Sequence, residues 1–247
     1  MSEAATRSRE RVDVLAIAAH PDDAELTCGG TLARSADQGY ATGILDLTRG
    51  EMASRGTPQT RSEEAARAAD ILGVSIRENA GMPDAGLSNS QENREALVSW
   101  LRRLRPRTVI LPFRVGRHPD HRLAAEVARD ACFLSGLKEY GEGEAHRPHK
   151  ILYALAYRED PVKPTFVVGL SAEDFARKLS AIRCYASQFV GADSAGEIFP
   201  TGQSLFELVE TQGRHYGSLI RQPFGEPFFT EETMAIEDIV EIPVRSM

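Results

Sequence analysis

The amino-acid sequence predicts a single α/β domain in which helices flank a mostly parallel β-sheet. Short apolar runs rich in β-branched residues alternate with longer amphipathic segments along most of the 247 residues. This alternation indicates strand–helix–strand units, whose crossovers are right-handed. The length suits one hydrophobic core, and no internal repeat or low-complexity stretch divides the chain. We therefore expect one domain over residues 1–247, with a disordered start over residues 1–10.

The first half of the chain contains four strand-and-helix pairs. The predicted strands cover residues 12–18, 42–47, 74–78 and 108–113. The predicted helices cover residues 24–38, 62–72, 92–104 and 123–133. Gly39 and Gly73 follow the first two helices, as expected of C-terminal helix stops.

The second half departs from strict alternation. Two further strands are predicted at residues 151–157 and 165–170, and helices at 172–187 and 205–219. From Pro223 onward we expect an irregular tail with a short strand at 239–244. The whole pattern is that of a Rossmann-like, mostly parallel sheet flanked by helices.

Charge and cysteine content narrow the class of protein. The net charge of −7 argues against nucleic acid and anionic membranes as partners. The three cysteines are scattered and form no C-x-x-C pair, which indicates free thiols in a reducing compartment. Residues 1–11 lack the apolar core of a signal peptide, and no stretch approaches the roughly 18–20 apolar residues of a membrane span. We expect a cytoplasmic protein.

Two clusters of histidine and aspartate follow predicted strands. Residues 19–25 have the sequence A-H-P-D-D-A-E and lie where the first strand enters the first helix. Residues 118–121 have the sequence H-P-D-H and lie after the fourth strand, again before a helix. In open α/β sheets, ligands bind at this end of the strands. The paired clusters therefore predict a functional site.

The residue types predict a metal site. His20 and Asp23 stand three apart across a turn, and His121 joins them if the first and fourth strands are neighbours. Two histidines and one carboxylate form a three-ligand set with open positions, as in catalytic zinc sites. Non-haem Fe(II) oxygenases use the same set, so the ligands leave Zn²⁺ and Fe²⁺ open.

The neighbouring residues favour hydrolysis. Asp22 lies beside the ligands, where it can act as the general base on a metal-bound water. His118 precedes His121 by three residues, and Asp120 can hold its imidazole as a charged donor. Such a donor stabilises an oxyanion or protonates a leaving amine.

Two other classes of function remain open at this point. A nucleotide- or sugar-phosphate-binding module without hydrolytic activity fits the α/β pattern, but no G-x-G-x-x-G or G-K-[ST] follows the first strand. An Fe(II) enzyme of oxidative chemistry shares the ligands but leaves Asp22 and Asp120 without a role.

The motifs resemble those of the PIG-L/LmbE-like family of metal-dependent N-acetylglucosaminyl deacetylases. Its A-H-P-D-D-A-E and H-P-D-H motifs are both present in full. Residues 47–51 (L-T-R-G-E), 61–73, 185–188 (Y-A-S-Q) and 216–220 (Y-G-S-L-I) look like the subgroup that deacetylates the glucosaminyl-malate precursor of bacillithiol. Related members act on chitooligosaccharides or mycothiol intermediates.

The resemblance implies roles for particular residues. His20, Asp23 and His121 would be zinc ligands, Asp22 the general base, and His118, oriented by Asp120, the cationic acid or oxyanion donor. A further set of residues would bind substrate: Arg61, Asp84, Arg49, Glu51 and Tyr185. Of these, Arg49 and Glu51 would either line the pocket or close its loop.

One position departs from the family pattern. Some relatives place a tyrosine two residues before the first histidine of the second motif as an oxyanion donor, and here that position is Gly116. Tyr185 is the candidate replacement. The resemblance also implies a homo-oligomer, a trimer or hexamer, acting on a small-molecule N-acetylglucosaminyl substrate.

Overall fold

The computed structural model describes residues 11–155, 162–189 and 204–244. They form one seven-stranded sheet with the strand order β3-β2-β1-β4-β5-β7-β6. The first five strands in this order are parallel, and β7 runs antiparallel to both of its neighbours. The predicted α/β class with a mostly parallel sheet is confirmed.

Strands and helices alternate along the first half of the chain, whereas in the second half two strands and then three helices follow one another before the last described strand. The strands are β1 (Val14–Ala18), β2 (Thr42–Thr48), β3 (Ile76–Met82), β4 (Thr108–Pro112), β5 (Lys150–Ala154), β6 (Phe166–Leu170) and β7 (Phe224–Phe229). The helices are α1 (Asp23–Asp37), α2 (Pro58–Leu72), α3 (Gln91–Leu104), α4 (Pro119–Leu134), α5 (Ala172–Arg183), α6 (Ala186–Phe189) and α7 (Leu205–Leu219).

Helices cover both faces of the sheet. On one face α1 packs against α2 and α5, and on the other α3 packs against α4. The largest core cluster lies under α3 and α4, where Leu97, Leu101 and Ala124 meet Leu15 and Val109 of the central strands. These strands are nearly continuous apolar runs because both of their faces are buried.

The direction in which successive strands are added to the sheet reverses between β1 and β4. The chain leaves β1 toward β2 on one side and leaves β4 toward β5 on the other, which makes a topological switch point. Pairing between the two strands extends from Val14–Thr108 to Ala16–Ile110. Beyond this pair β1 continues against β2 and β4 against β5, so a crevice opens at their carboxyl ends.

Helix α1 is bent at Cys28, whose φ of −136° and ψ of 16° interrupt the helical backbone. The amide groups of Gly30 and Thr31 donate instead to Glu226 of β7, at 2.9 and 2.7 Å. Lys178 donates to the same carboxylate at 2.6 Å inside the core. Gly30 also allows close packing, since a Cβ there would lie 2.4 Å from the Leu170 Cδ1.

Two predicted helix starts are wrong, and both errors bear on the site. Helix α2 begins at Pro58, four residues before the predicted start, because Thr57 caps it through its side chain. Helix α4 begins at Pro119 instead of residue 123, with His118 as the N-cap. The second motif is therefore the first turn of a helix.

The predicted C-terminal region is also wrong. The tail from Pro223 contains strand β7, which lies between β5 and β6, in place of irregular chain. Residues 239–244 form no strand. The sequence of β7 (F-G-E-P-F-F) hides its strand character because glycine, glutamate and proline are disfavoured in strands. The predicted helix at 172–187 is divided into α5 and α6.

Three further expectations concern the cysteines, the membrane spans and two predicted segments. Cys28, Cys132 and Cys184 are free thiols. Within the described ranges, every helix is too short or too polar to cross a bilayer. The expected disordered start and the end of the strand predicted at 151–157 lie outside the described residues.

The close packing of α7 on β7 predicts that Gly217→Ala destabilises the protein. A Cβ at this position would lie 2.6 Å from the Phe224 Cα and 2.7 Å from the Gln222 carbonyl oxygen, and backbone atoms cannot move aside cheaply. We expect a loss of about 1–3 kcal/mol in urea denaturation. The matched control is Gly29→Ala, whose Cβ would meet ordinary contacts of 3.5 Å or more. That variant should be neutral or gain up to about 1 kcal/mol, and equal effects would contradict the packing argument.

Candidate metal centre

The three predicted metal ligands converge at the crevice between β1 and β4. His20 follows β1, Asp23 begins α1, and His121 lies in the first turn of α4. Their ligand atoms lie within 4.8 Å of one another. Asp23 stands between the histidines, with Oδ2 3.2 Å from Nδ1 of His20 and Oδ1 3.2 Å from Nε2 of His121.

The second ring nitrogen of His20 faces carboxylates. Its Nε2 lies 3.1 Å from Oδ1 of Asp84 and 3.5 Å from Oδ2 of Asp120. A carboxylate at this nitrogen fixes the ring with Nε2 protonated, which leaves Nδ1 for a metal. Asp84 and Asp120 therefore orient a ligand histidine.

Asp22 is held apart from Asp23 by an unusual backbone conformation. Its φ of 124° is rare for a residue with a side chain and turns the two neighbouring carboxylates in different directions. Arg61 donates to Oδ2 of Asp22 at 2.9 Å and to the carbonyl oxygen of Pro21 at 3.0 Å. Burial raises the pKa of Asp22 to about 7, although Arg61 opposes the shift.

The electrostatic field around the ligands is strongly negative. Burial disfavours a charged His20, yet the hydrogen bond and charge of Asp23, together with Asp22 and Asp84, raise the pKa of His20 to about 10. Burial opposes the charge of Asp23 too, but His121 and His20 lower its pKa well below the ordinary value. The surroundings thus favour positive charge at this place.

His118 lies at the exposed side of the cluster. Its ring centroid is 4.9 Å from that of His20 and 4.8 Å from that of His121. The backbone N–H of Asp120 donates to Nδ1 of His118 at 3.2 Å, so the neutral imidazole carries its proton on Nε2. Burial and the charges of His121 and His20 lower the pKa of His118.

The predicted orientation of His118 by the Asp120 side chain needs correction. Asp120 holds His118 through its backbone amide, while its carboxylate accepts the N–H of Ala85 at 2.8 Å and faces His20. The lowered pKa also disagrees with a permanently charged His118. The arrangement suits a neutral hydrogen-bond donor.

The loops that follow β2 and β3 are joined above His20. Glu51 accepts the backbone N–H groups of Asp84 at 2.9 Å and Arg49 at 3.2 Å. Asp84 in turn accepts the backbone N–H of Met52 at 2.8 Å. Glu51 therefore closes the loop, one of the two alternatives that the sequence left open, and Arg49 is exposed at the rim.

Three residues predicted to bind substrate make contacts within the protein. Arg61 is 6% exposed and holds Asp22. The side chain of Asp84 is 8% exposed and is used by His20 and two backbone amides. Tyr185 is fully buried, and its hydroxyl donates to Glu25 at 2.9 Å. Tyr185 therefore cannot replace the oxyanion donor that is missing at Gly116.

A buried charge network lies beneath the first motif and was not predicted from the sequence. Arg77 of β3 donates twice to Asp46, at 2.8 and 3.0 Å, and also to Glu25. Burial opposes its charge, but Asp46 and Glu25 raise the pKa of Arg77 well above its ordinary value. A sequence signal existed, because Asp46 interrupts the apolar strand T-G-I-L-D-L-T and a buried carboxylate requires a partner.

The donor set fits a catalytic divalent metal. His20, Asp23 and His121 offer two imidazoles and one carboxylate, the combination found at three-ligand sites with open positions. His20, His118 and Asp120 form a second group with ligand atoms within the same 4.8 Å limit. The first group is the one that the sequence predicts, whereas in the second Oδ2 of Asp120 accepts the backbone N–H of Ala85 at 2.8 Å.

Comparison with known proteins identifies relatives of the chain. The family model described as PIG-L, GlcNAc-PI de-N-acetylase, matches residues 15–132, which include both motifs. Diacetylchitobiose deacetylase of Thermococcus kodakarensis is 31% identical over 189 residues, covering 71% of this chain and 70% of that protein. The 4-oxalmesaconate hydratase of Pseudomonas putida is 30% identical over 196 residues, covering 70% and 73%.

Solved structures extend the similarity to the C-terminal half. A conserved protein of Thermus thermophilus superposes with a TM-score of 0.81 at 39% identity. The match covers 92% of this chain and 98% of the Thermus protein. The sheet and its antiparallel edge are thus part of a shared fold.

The network beneath the site predicts that Arg77→Met is strongly destabilising. The substitution leaves Asp46 and Glu25 buried without their cation, at a cost of about 3–5 kcal/mol in the free energy of unfolding. Urea denaturation of the purified variant measures this loss. Arg214→Met is the control because Arg214 and its partner Glu210 are exposed, and it should change stability by less than about 1 kcal/mol. A similarly small effect of Arg77→Met would contradict the network.

Proposed function

The chain belongs to the PIG-L family, and on this premise we propose that it hydrolyses the N-acetyl group of a glucosaminyl conjugate, releasing acetate and a free amine. One observation carries the proposal. His20, Asp23 and His121 converge on one point, and the buried carboxylate of Asp22 stands beside them, held by Arg61. A carboxylate fixed beside a metal-bound water is placed to take its proton.

We propose Zn²⁺ as the metal held by His20, Asp23 and His121, with Fe²⁺ as the alternative. When bound, such an ion supplies Lewis acidity that polarises a carbonyl and acidifies water. The protein supplies the negative surroundings, and Asp84 and Asp120 keep the His20 ring in place.

Asp22 takes the proton from the attacking water. Its position is fixed because Arg61 binds its Oδ2 and the preceding carbonyl oxygen of Pro21. Burial keeps the carboxylate basic, and Arg61 prevents the pKa from rising further. Arg61 is in this proposal a positioning residue for the base.

His118 donates a hydrogen bond from its Nε2–H to the substrate. Its Nδ1 already accepts from the backbone N–H of Asp120, so Nε2–H is the free donor of the neutral ring. A hydrogen bond aimed at the developing oxyanion stabilises the transition state. The proton held by Asp22 then goes to the departing nitrogen, which leaves as an amine.

For the substrate, we propose N-acetylglucosaminyl-malate, the precursor in bacillithiol biosynthesis. The segments at 47–51, 185–188 and 216–220 support this subgroup, and Arg49 and Arg117 are exposed cations available to a malate carboxylate. Diacetylchitobiose or a mycothiol-like conjugate are the alternative substrates. The diacetylchitobiose deacetylase among the relatives supports the first of these.

A second activity is suggested by the hydratase among the relatives. At 30% identity it is about as similar to this chain as the diacetylchitobiose deacetylase, although its name describes addition of water to 4-oxalmesaconate. Hydration also requires an activated water, which the same centre provides. We favour deacetylation because residues 15–132, which contain both motifs, match the de-N-acetylase family model.

We also propose that the chain forms a homo-oligomer. The C-terminal stretch exposes apolar side chains, with Ile236 50%, Ile239 81% and Val240 83% exposed. Exposed apolar side chains gathered in one short stretch of chain support an interface there.

The proposed base predicts the behaviour of Asp22→Asn. Asparagine can still accept from Arg61 but cannot take a proton, so acetate release from N-acetylglucosaminyl-malate should fall by about 10²- to 10⁴-fold. Metal content, measured by elemental analysis, should remain that of the wild type. Removal of the metal from the wild type should abolish activity, and restoring zinc should recover it.

The controls separate the possible outcomes. His20→Ala should lose both metal and activity. Simple N-acetylglucosamine, diacetylchitobiose and 4-oxalmesaconate are assayed in parallel. Acetate release from other conjugates alone would reject the bacillithiol substrate, whereas hydration without acetate release would reject deacetylation. Near wild-type activity of Asp22→Asn would reject the base.

The contact of Asp84 with His20 predicts a role in metal retention. Asp84→Asn weakens the hydrogen bond that fixes the imidazole, so the dissociation constant for zinc should rise about 10- to 100-fold. Competition with a chromophoric chelator measures it. Asp37→Asn is the control, because Asp37 is exposed and pairs with Arg177 outside the site. An unchanged dissociation constant in Asp84→Asn would show that Asp84 does not support the ligand.

A further inference from the structure

A cavity of about 70 Å³ adjoins two of the candidate metal ligands, Asp23 and His121. Away from these ligands its walls are mostly apolar. They include Ala18 of β1, Cys28 of α1, Ile110 of β4 and Ala154 of β5. The cavity therefore extends from the metal position into the sheet.

The divergence of the two central strands creates this space. Ala16 and Ile110 are the last paired residues of β1 and β4, and both strands continue apart from each other. The lining residues of α1 run from Asp23 to Cys28, so they all lie at or before the bend of the helix. Beyond the bend, Gly30 packs directly against Leu170. The cavity is thus confined to the part of α1 that carries the site.

The chemistry of the walls selects the part of a substrate that can enter. A sugar ring would leave its hydroxyl groups without partners among alanine, isoleucine and cysteine side chains, which is unfavourable. Burial raises the pKa of the Cys28 thiol, so the sulfur stays protonated and neutral. An aliphatic chain makes no hydrogen bonds with water, so its burial among these side chains does not incur this cost. The loops at 49–57 and 83–86 are mostly exposed, and Asp84 of the second loop contacts His20 at 3.1 Å, so a sugar can sit against them.

The size of the cavity exceeds the need of an acetyl group. A water-sized group requires roughly 10–15 Å³ on this scale, so the cavity holds about five such groups. The methyl of an acetyl group would occupy only one of them. A cavity left mostly empty lacks contacts that a longer chain would make.

We propose that this cavity receives the acyl chain of the substrate amide and that the protein hydrolyses N-acyl groups longer than acetyl in addition to acetyl itself. The inference rests on the proposed function and specifies its substrate class. One water is consumed, the amide C–N bond breaks, and a C–O bond forms. The products are a carboxylate with the chain in the cavity and a free amine on the sugar.

The test measures amine release from a series of N-acyl glucosamines, from acetyl to octanoyl, by the zinc-loaded full chain. Each methylene buried in an apolar site favours binding by about fourfold. We expect kcat/KM to rise about fourfold per added carbon up to butanoyl and to fall for octanoyl. Butanoate should likewise inhibit the enzyme about tenfold more strongly than acetate, which tests the cavity without any substitution.

Ala154→Val tests whether the chain lies in the cavity. The two added carbons occupy about two of the five positions, so the optimal chain should become about two carbons shorter. Ala181→Val is the matched control. Ala181 is also a fully buried alanine, but it packs between α2 and α5 away from the cavity, and its substitution should leave the chain-length profile unchanged.

Three results would overturn the inference, and they are distinguishable. Cleavage of acetyl with butanoyl below a tenth of its rate would reject the longer chain and keep the deacetylase. Cleavage of longer chains with the same profile in Ala154→Val would place the chain elsewhere. Failure to cleave any N-acyl glucosamine or N-acetylglucosaminyl-malate would reject the proposed function and the inference together.

Discussion

The concentration of carboxylates below the end of β1 is the constraint on which the site depends. A buried carboxylate requires a cation or several hydrogen bonds, because the low-dielectric interior penalises an unpaired charge. Arg61 satisfies Asp22, and Arg77 joins Asp46 to Glu25. The remaining acids, Asp23, Asp84 and Asp120, face imidazoles. The shape of the centre follows from this division. Arginines hold Asp22 and the carboxylates beneath it, while Asp23, Asp84 and Asp120 keep the negative charge that suits a metal ion.

Much of this arrangement could be predicted from the sequence because it is local. His20, Asp22 and Asp23 are close along the chain, and their place after a strand follows from the apolar run before them. The position of His121 required only that β1 and β4 be neighbours, which the observed strand order confirms. The side-chain types and the spacing of these residues are therefore enough to predict a metal site.

The supporting residues could not be predicted in the same way. Arg61, Asp84 and Tyr185 have side chains that suit a substrate, and only the packing shows that other parts of the protein already use them. The loops after β2 and β3 decide where Asp84 points, and loop conformation is poorly encoded by periodicity. Strand β7 was hidden because Gly225 and Pro227 disfavour strands, and β5 and β6 hold it in the sheet despite this composition.

The position of Glu226 has a consequence for how the protein folds. Its carboxylate holds the amides of Gly30 and Thr31, almost two hundred positions earlier in the chain. A nascent chain can form α1 before β7 has been synthesised, but until then the N–H groups of Gly30 and Thr31 lack the carboxylate that accepts them. Loop closure over such a separation is slow, because chain entropy opposes it before contacts can compensate. Helix α1, which carries Asp23, therefore gains these contacts only after β7 has been synthesised.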